Sequence, residues 1–175
     1  MQLSLSDLTI INQSLFGLIK ELENLSSFRT SVRDESLRRL FDEQWKTHLT
    51  NYDALVNLLH DHAFSQPNSS PLHRTRFQHP SDAHNLSLDT RISTPTDRLM
   101  AFSHFLAVSR AGREYGGYLF EVSYPPLYEY LWNTLALYIG DAQSLKGWIT
   151  ANGYFLTQWA SPEQVAELQG VYFLS

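Results

Sequence analysis

The feature that most constrains this chain is an internal repeat at a shift of ninety residues. The seam positions Phe41, Trp45, His48, Tyr52, Leu55, Leu59 and His62 fall at steps of three and four, the period of a helix rather than a strand. Moved by ninety, they land on Leu131, Leu135, Tyr138, Ala142, Leu145, Ile149 and Asn152. The same shift carries Ile11, Leu15, Leu18, Leu22 and Leu25 onto Ala101, Phe105, Val108, Gly112 and Tyr115. One heptad pattern matches another cheaply. Two consecutive patterns matching at one offset describe a duplicated helical hairpin.

Boundary signals predict helices over 6–25, 31–64, 95–122, 126–152 and 162–169 of a single domain spanning 1–175. Ser6 and Asp7 can cap the first, and Ser31 opens the second with Asp34 and Glu35 in its first turn. Thr94 as N-cap, Pro95 at the first helical position and Asp97 just inside open the third. Pro125-Pro126 forces a corner before the fourth, because a residue preceding proline avoids the helical region. Gly153 after Asn152 is a left-handed stop. The apolar segment Val171 to Leu174 can fold back on the bundle or pair with another chain.

Between the two hairpins, residues 65–93 hold Pro67, Pro71 and Pro80, many Ser and Asn, and His73, His79 and His84. A connection this long needs a reason in a compact domain. Returning the chain along a rod of roughly 45 Å supplies one. Two antiparallel hairpins joined by such a crossover predict an all-α, ferritin-like four-helix bundle with a short C-terminal helix. An up-down-up-down bundle with a decorative loop is the alternative.

Dinuclear centres in such bundles need a Glu from each of two helices and Glu-x-x-His from the other two, all facing inward. Here the first helix has a seam of Leu and Ile, with Glu21 among the outward polar residues, and the third has no seam acid. The fourth has neither acid nor His between Leu131 and Gly140, and Glu43 and His48 lie on different faces of the second. The expectation is an acid-free interior with no metal centre and no cofactor. His48 and His62 are the weak metal candidates. The plainer role for His48 is a core histidine hydrogen-bonded to Tyr138 or Tyr115. His60 and His62 diverge, and the spacing of His73, His79 and His84 is no recognised motif. Arg110, Arg113 and Glu114 suggest a buried Arg–Glu pair that sets helix register. The cluster His73-Arg74-Thr75-Arg76 reads as solvated. Gly112, Gly116 and Gly117 each cost about 1 kcal/mol of helix propensity relative to Ala, which close approach of a neighbouring helix would offset.

Composition narrows the function. The 175 residues contain no cysteine, so thiolate chemistry and Cys-ligated metals are excluded. Net charge is −5, with no basic stripe for nucleic acid. No apolar run reaches the ~20 residues of a membrane span, and Leu3-Ser4-Leu5-Ser6 does not read as a secretory signal, which places synthesis in the cytoplasm. Charged residues make up only 18%, against about 25% in typical domains, so self-association would cover surface that is poorly solvated. There is no Ser/His/Asp nucleophile context, P-loop or dinucleotide fingerprint.

Tyr118-Leu119-Phe120-Glu121, the corner Pro125-Pro126-Leu127, the helix that follows and Gly153-Tyr154-Phe155 together resemble the spore coat protein F family. Asp34-Glu35-Ser36-Leu37-Arg38 in the first half resembles the Leu-Arg helix start of that family. Tyr128 stands where an arginine is usual, and Phe155 where a tyrosine is. The resemblance implies a ferritin-like bundle with a structural, non-enzymatic part in the spore coat, formed during sporulation, with copies of itself or other coat proteins as partners. It brings no catalytic residues. Two other readings remain: a ferritin-like metal or oxygen enzyme with an unfamiliar ligand set, and a binder of a small apolar ligand in a gap near Gly112, Gly116 and Gly117.

Overall fold

A computed structural model describes residues 3–61, 96–154 and 160–166. Among them are four long helices, α1 (Leu5–Ser31), α2 (Glu35–Asp61), α3 (Asp97–Tyr118) and α4 (Pro125–Ala151), a short helix at 162–166, and no strand. The architecture is an all-α bundle. His60, His62, the segment 65–93 with its histidines and basic cluster, Thr94, Pro95 and the tail from Val171 carry predictions that lie outside the described side chains.

Three of the four long helices start at a side-chain cap, and the fourth starts on prolines. Ser4 and Asp7 form a capping box on α1, the Ser4 hydroxyl accepting from the Asp7 amide and the Asp7 carboxylate accepting from the Ser4 amide. Asp34 accepts from the Leu37 amide at 2.8 Å, so α2 begins at Glu35 rather than near Ser31. Thr96 rather than Thr94 caps α3, accepting from the Leu99 amide, so the helix begins at Asp97. Pro125 and Pro126 occupy the first turn of α4. At its far end Gly153 takes φ +71°, the predicted left-handed stop. Two ends move as well. α1 continues past residue 25 to Ser31, because Phe28 and Val32 prolong its packed face while Ser26 and Ser27 point to solvent. α3 ends at Tyr118, where Phe120 and Glu121 close tight turns on Gly117 and Tyr118.

Hydrogen bonds between helices fix their directions. Trp45 of α2 donates to Ser26 of α1, and Arg29 pairs with Asp42, so α1 and α2 form an antiparallel hairpin. The α3–α4 hairpin packs through Gly112, where an added Cβ would stand 3.5 Å from the Tyr138 Cβ. Trp148 donates to Asp34, and Gln44 donates to the Asp141 carbonyl, which sets α2 antiparallel to α4. α3 starts beside the α1–α2 corner, whereas α2 ends at the other pole of the bundle. The chain between Asp61 and Asp97 therefore connects opposite ends.

The shift of ninety holds at atomic detail. The Asp7 carboxylate accepts from the Ser123 and Tyr124 amides at 2.9 and 3.3 Å, tying the start of α1 to the α3–α4 corner. The Asp97 carboxylate accepts from the Arg33 and Asp34 amides at 2.9 and 2.7 Å, tying the start of α3 to the α1–α2 corner. These residues are themselves ninety apart: 7 and 97, 33 and 123, 34 and 124. Buried positions pair in the same way, including Ile10 with Met100, Leu18 with Val108 and Phe41 with Leu131. At the centre, His48 stacks on its own repeat partner, Tyr138, with ring centroids 5.2 Å apart. Leu59, expected in the seam, is exposed instead.

Only one of the three α3 glycines lies against a neighbour. Gly112 touches Tyr138 and Leu135, while nothing lies within 4 Å of a Cβ at Gly116 or Gly117. Gly116→Ala and Gly117→Ala are therefore expected to raise stability by up to about 1 kcal/mol each, and Gly112→Leu to lower it by roughly 1–3 kcal/mol, in urea melts. Removing either tie at the corners, by Asp7→Ala or Asp97→Ala, orphans two amides and is expected to cost roughly 1–3 kcal/mol in the same measurement.

Candidate functional site

The interior is not the acid-free seam the sequence suggests. Glu21 of α1 is buried, because it lies three residues after Leu18 and four before Leu25, both buried. His48 of α2 is fully buried, and Asp141 enters from α4 three residues after Tyr138. The three meet at mid-bundle. The Nε2 of His48 lies 3.0 Å from Asp141 Oδ2, and its Nδ1 lies 3.8 Å from Glu21 Oε2. Tyr138 donates its hydroxyl to Glu21 at 2.7 Å. His48 is thus a core histidine, but Asp141 is its hydrogen-bond partner and Tyr138 only stacks on it.

The polar run continues beyond these three. Gln44 donates to the Asp141 carbonyl at 3.4 Å and faces His104 Nε2 with its Oε1 at 3.0 Å. His104 also sits edge-on to Phe41 and Phe28. A connected row therefore runs Tyr138–Glu21–His48–Asp141–Gln44–His104 through the core.

Burial sets opposite protonation tendencies on the two histidines. For His48, burial disfavours the imidazolium, but the hydrogen bond to Asp141 and the charges of Glu21 and Asp141 outweigh it, so its pKa lies above the usual 6.5. His104 has no carboxylate partner; burial, with the His48 charge, pushes it down to about 3. Glu21 is raised by burial, with His48 and Tyr138 opposing. The hydrogen bond from His48 Nε2 to Asp141 favours the protonated ring, while Nδ1, 3.8 Å from Glu21, makes no hydrogen bond. Burial also holds Tyr115, Tyr130 and Tyr138 well above the ordinary tyrosine range.

Beside this row a cavity of about 300 Å³ opens between α1 and α3. Ser14, Gly17 and Glu21 line one side, Ala107, Ala111 and Tyr115 the other, and Tyr138 the floor. The hydroxyls of Ser14 and Tyr115 are themselves buried. Gly112 packs against Tyr138 and Leu135, and neither Gly116 nor Gly117 lines the cavity, although their neighbours Tyr115 and Tyr118 do. Arg110 and Glu114 do pair, at 3.0 Å, but on the surface: their side chains are 70% and 49% exposed, so the pair contributes little.

Among the described residues, no group of three or more His, Asp or Glu is placed to hold a metal ion. No described helix is long and apolar enough to cross a membrane. No family model, curated protein or solved structure matches the chain.

The depressed pKa of His104 has a sign that can be checked. The unfolded chain binds this proton near pH 6.5 and the folded one only near 3. Stability contributed by neutral His104 is therefore complete above 6.5 and declines as pH falls through that interval, by up to about 1.4 kcal/mol per pH unit. Urea melts between pH 7 and 4.5 are expected to show a shallower acid decline in His104→Leu than in the parent chain.

Proposed function

We propose that this chain is a non-enzymatic assembly protein, a ferritin-like bundle of the spore coat F kind that packs against copies of itself or other coat proteins. The observation that carries the reading is the outward placement of large apolar side chains. On α4, Tyr128, Trp132 and Ile139 follow one line at steps of four and seven and are 45%, 57% and 54% exposed. On α1, Leu5, Leu8, Phe16 and Ile19 make a second line, with Phe16 76% exposed. Single exposed apolar residues need no explanation, whereas aligned ones are typical of interaction surfaces. They occur in a chain that has few charges and places Glu21, Gln44, Asn51 and His104 inside. The ferritin-like part of the reading is supported by the pairing of the hairpins and by a connection that joins opposite ends of the bundle.

A metal-dependent oxidoreductase is the competing reading, and it would draw on Glu21, His48 and Asp141. Both carboxylates, however, are directed at the nitrogens of one imidazole rather than at a shared vacant point. Stoichiometric iron or manganese in the purified protein would favour it.

Sedimentation at tens of micromolar is expected to give a mass above the 20.1 kDa of one chain. Trp132→Lys with Ile139→Lys should shift the protein to monomer while its helical circular dichroism is kept. A parent chain that is already monomeric at that concentration would end the assembly reading. Spores lacking the gene are expected to show altered coat composition, and unchanged coats would remove the coat assignment.

A further inference from the structure

We propose that the outward face of α4 docks on the outward face of α1 of a second copy, so that this chain assembles in open-ended rows with every copy pointing the same way. The inference rests on the assembly reading above and adds to it the partner surface and the geometry of the contact.

The two faces have the same spacing. Leu5, Leu8, Asn12, Phe16 and Ile19 are exposed on α1, and Pro125, Tyr128, Trp132, Ala136 and Ile139 are exposed on α4. Both sets run at steps of three, four, four and three, which lets two helices pack along a shared seam. Set in register, large meets small at the centre: Trp132 stands opposite Asn12, and Phe16 opposite Ala136. On either side Leu8 meets Tyr128 and Ile19 meets Ile139.

The fold presents these faces on opposite sides and in one direction. α1 and α4 each pack beside α2 and α3, so they occupy opposite corners of the bundle. Both start at the pole where Asp7 accepts from Tyr124, and they run parallel to the level where Tyr138 donates to Glu21. Each of those bonds joins positions 117 apart, so a position on α1 stands level with the one 117 further on. The in-register contact pairs positions three residues beyond that, about 4.5 Å of helical rise. A second copy moved sideways with this small stagger brings its α4 onto α1 of the first without turning round. Two different faces meet, so the contact is heterologous and does not close as a two-fold pair does.

Charge and area suit a second copy. Between Leu5 and Ile19 the one charged residue of α1, Asp7, is buried, and between Pro125 and Ile139 α4 carries only Glu129. Neither face holds a Lys or Arg to meet anionic lipid or nucleic acid, and no like charges oppose each other across the contact. The large apolar side chains are 42–81% exposed on α1 and 45–57% on α4. At roughly 200 Å² for a large side chain, this leaves on the order of 400 Å² of apolar surface on each face. With its polar margins the contact reaches the about 1,000 Å² of the smaller specific interfaces, which places its strength at the weak end.

Phe16→Lys spoils the α1 face and Trp132→Lys the α4 face, and each leaves the other face whole. Both are exposed helix positions and Lys is a good helix former, so the variants are expected to keep the parent's circular dichroism. Phe16→Gln and Trp132→Gln give the same test if either Lys variant loses helix. In sedimentation, the mass of the parent is expected to climb with concentration past that of a dimer. Each variant alone is expected at the 20.1 kDa of one chain, and their equimolar mixture at twice that mass and no more. A two-fold contact through α4 would instead leave Phe16→Lys dimeric, and one through α1 would leave Trp132→Lys dimeric. Either of these results, a mixture that stays monomeric, or a parent that stops at a dimer would overturn the proposal while the assembly reading stands. A monomeric parent would end both.

Discussion

Two aspartates hold the bundle in one arrangement. Asp7 and Asp97 each sit in the first turn of a hairpin's leading helix and accept two backbone amides from the opposite hairpin's corner. A helix start favours a carboxylate in any case, since its free N–H groups carry partial positive charge. Here the same carboxylate also satisfies amides that have no partner within their own turn. Because each tie joins one hairpin's start to the other's bend, sliding either hairpin by a turn would break both. Apolar packing drives the helices together but tolerates several registers. The paired carboxylates select one, and the hydrogen bonds Asp7 receives keep its pKa low against the opposing effect of burial.

That fixed register is what allows polar groups in the core. A buried carboxylate or imidazolium is tolerated only when its partners stand at hydrogen-bond distance, and a displacement of one helical residue would separate them. Glu21, His48 and Asp141 come from three different helices, so their mutual compensation depends on all three axes being held. Replacing such a cluster with apolar residues is often neutral or stabilising in proteins, so its presence here argues for a role other than stability. The outward lines of Trp132, Ile139 and Phe16 follow the same logic. Polar residues on the inside and apolar ones on the outside both reduce the stability of an isolated chain.

The hairpin repeat, its offset, most seam positions and the stop at Gly153 were legible in the sequence, because helical periodicity and turn chemistry are local signals. The polar core was not, though its trace was present. Glu21, Gln44, His104 and Asp141 each fall three residues after one buried position and four before another, and so lie on the buried stripe by spacing alone. Reading charge as an outward signal hid them, and so did choosing Leu22 rather than Glu21 to continue the seam of α1. The partner of His48 could not be read, since a residue ninety-three positions away becomes a neighbour only once the hairpins are docked. The α1–α3 cavity was invisible for a related reason: Gly17 and Ala107 look like ordinary helix residues until they face each other.

The repeat itself shows where the two halves diverged. Much of the lining of the α1–α3 cavity maps onto itself under the shift of ninety: Gln13 with Ser103, Gly17 with Ala107, Lys20 with Arg110, Glu21 with Ala111. Small residues on both copies leave the space between the helices unfilled, and basic residues stand on both sides of the rim. The correspondence fails at Glu21, where one half carries a buried carboxylate and the other a methyl group. Across the core, His48 likewise faces its own counterpart, Tyr138, so an imidazole and a phenol occupy equivalent places. A duplicated hairpin that needed only to pack would have no use for these two differences. Together they join one carboxylate, one imidazole and one phenol in the core, so that the polar row has a direction a symmetric duplication would lack.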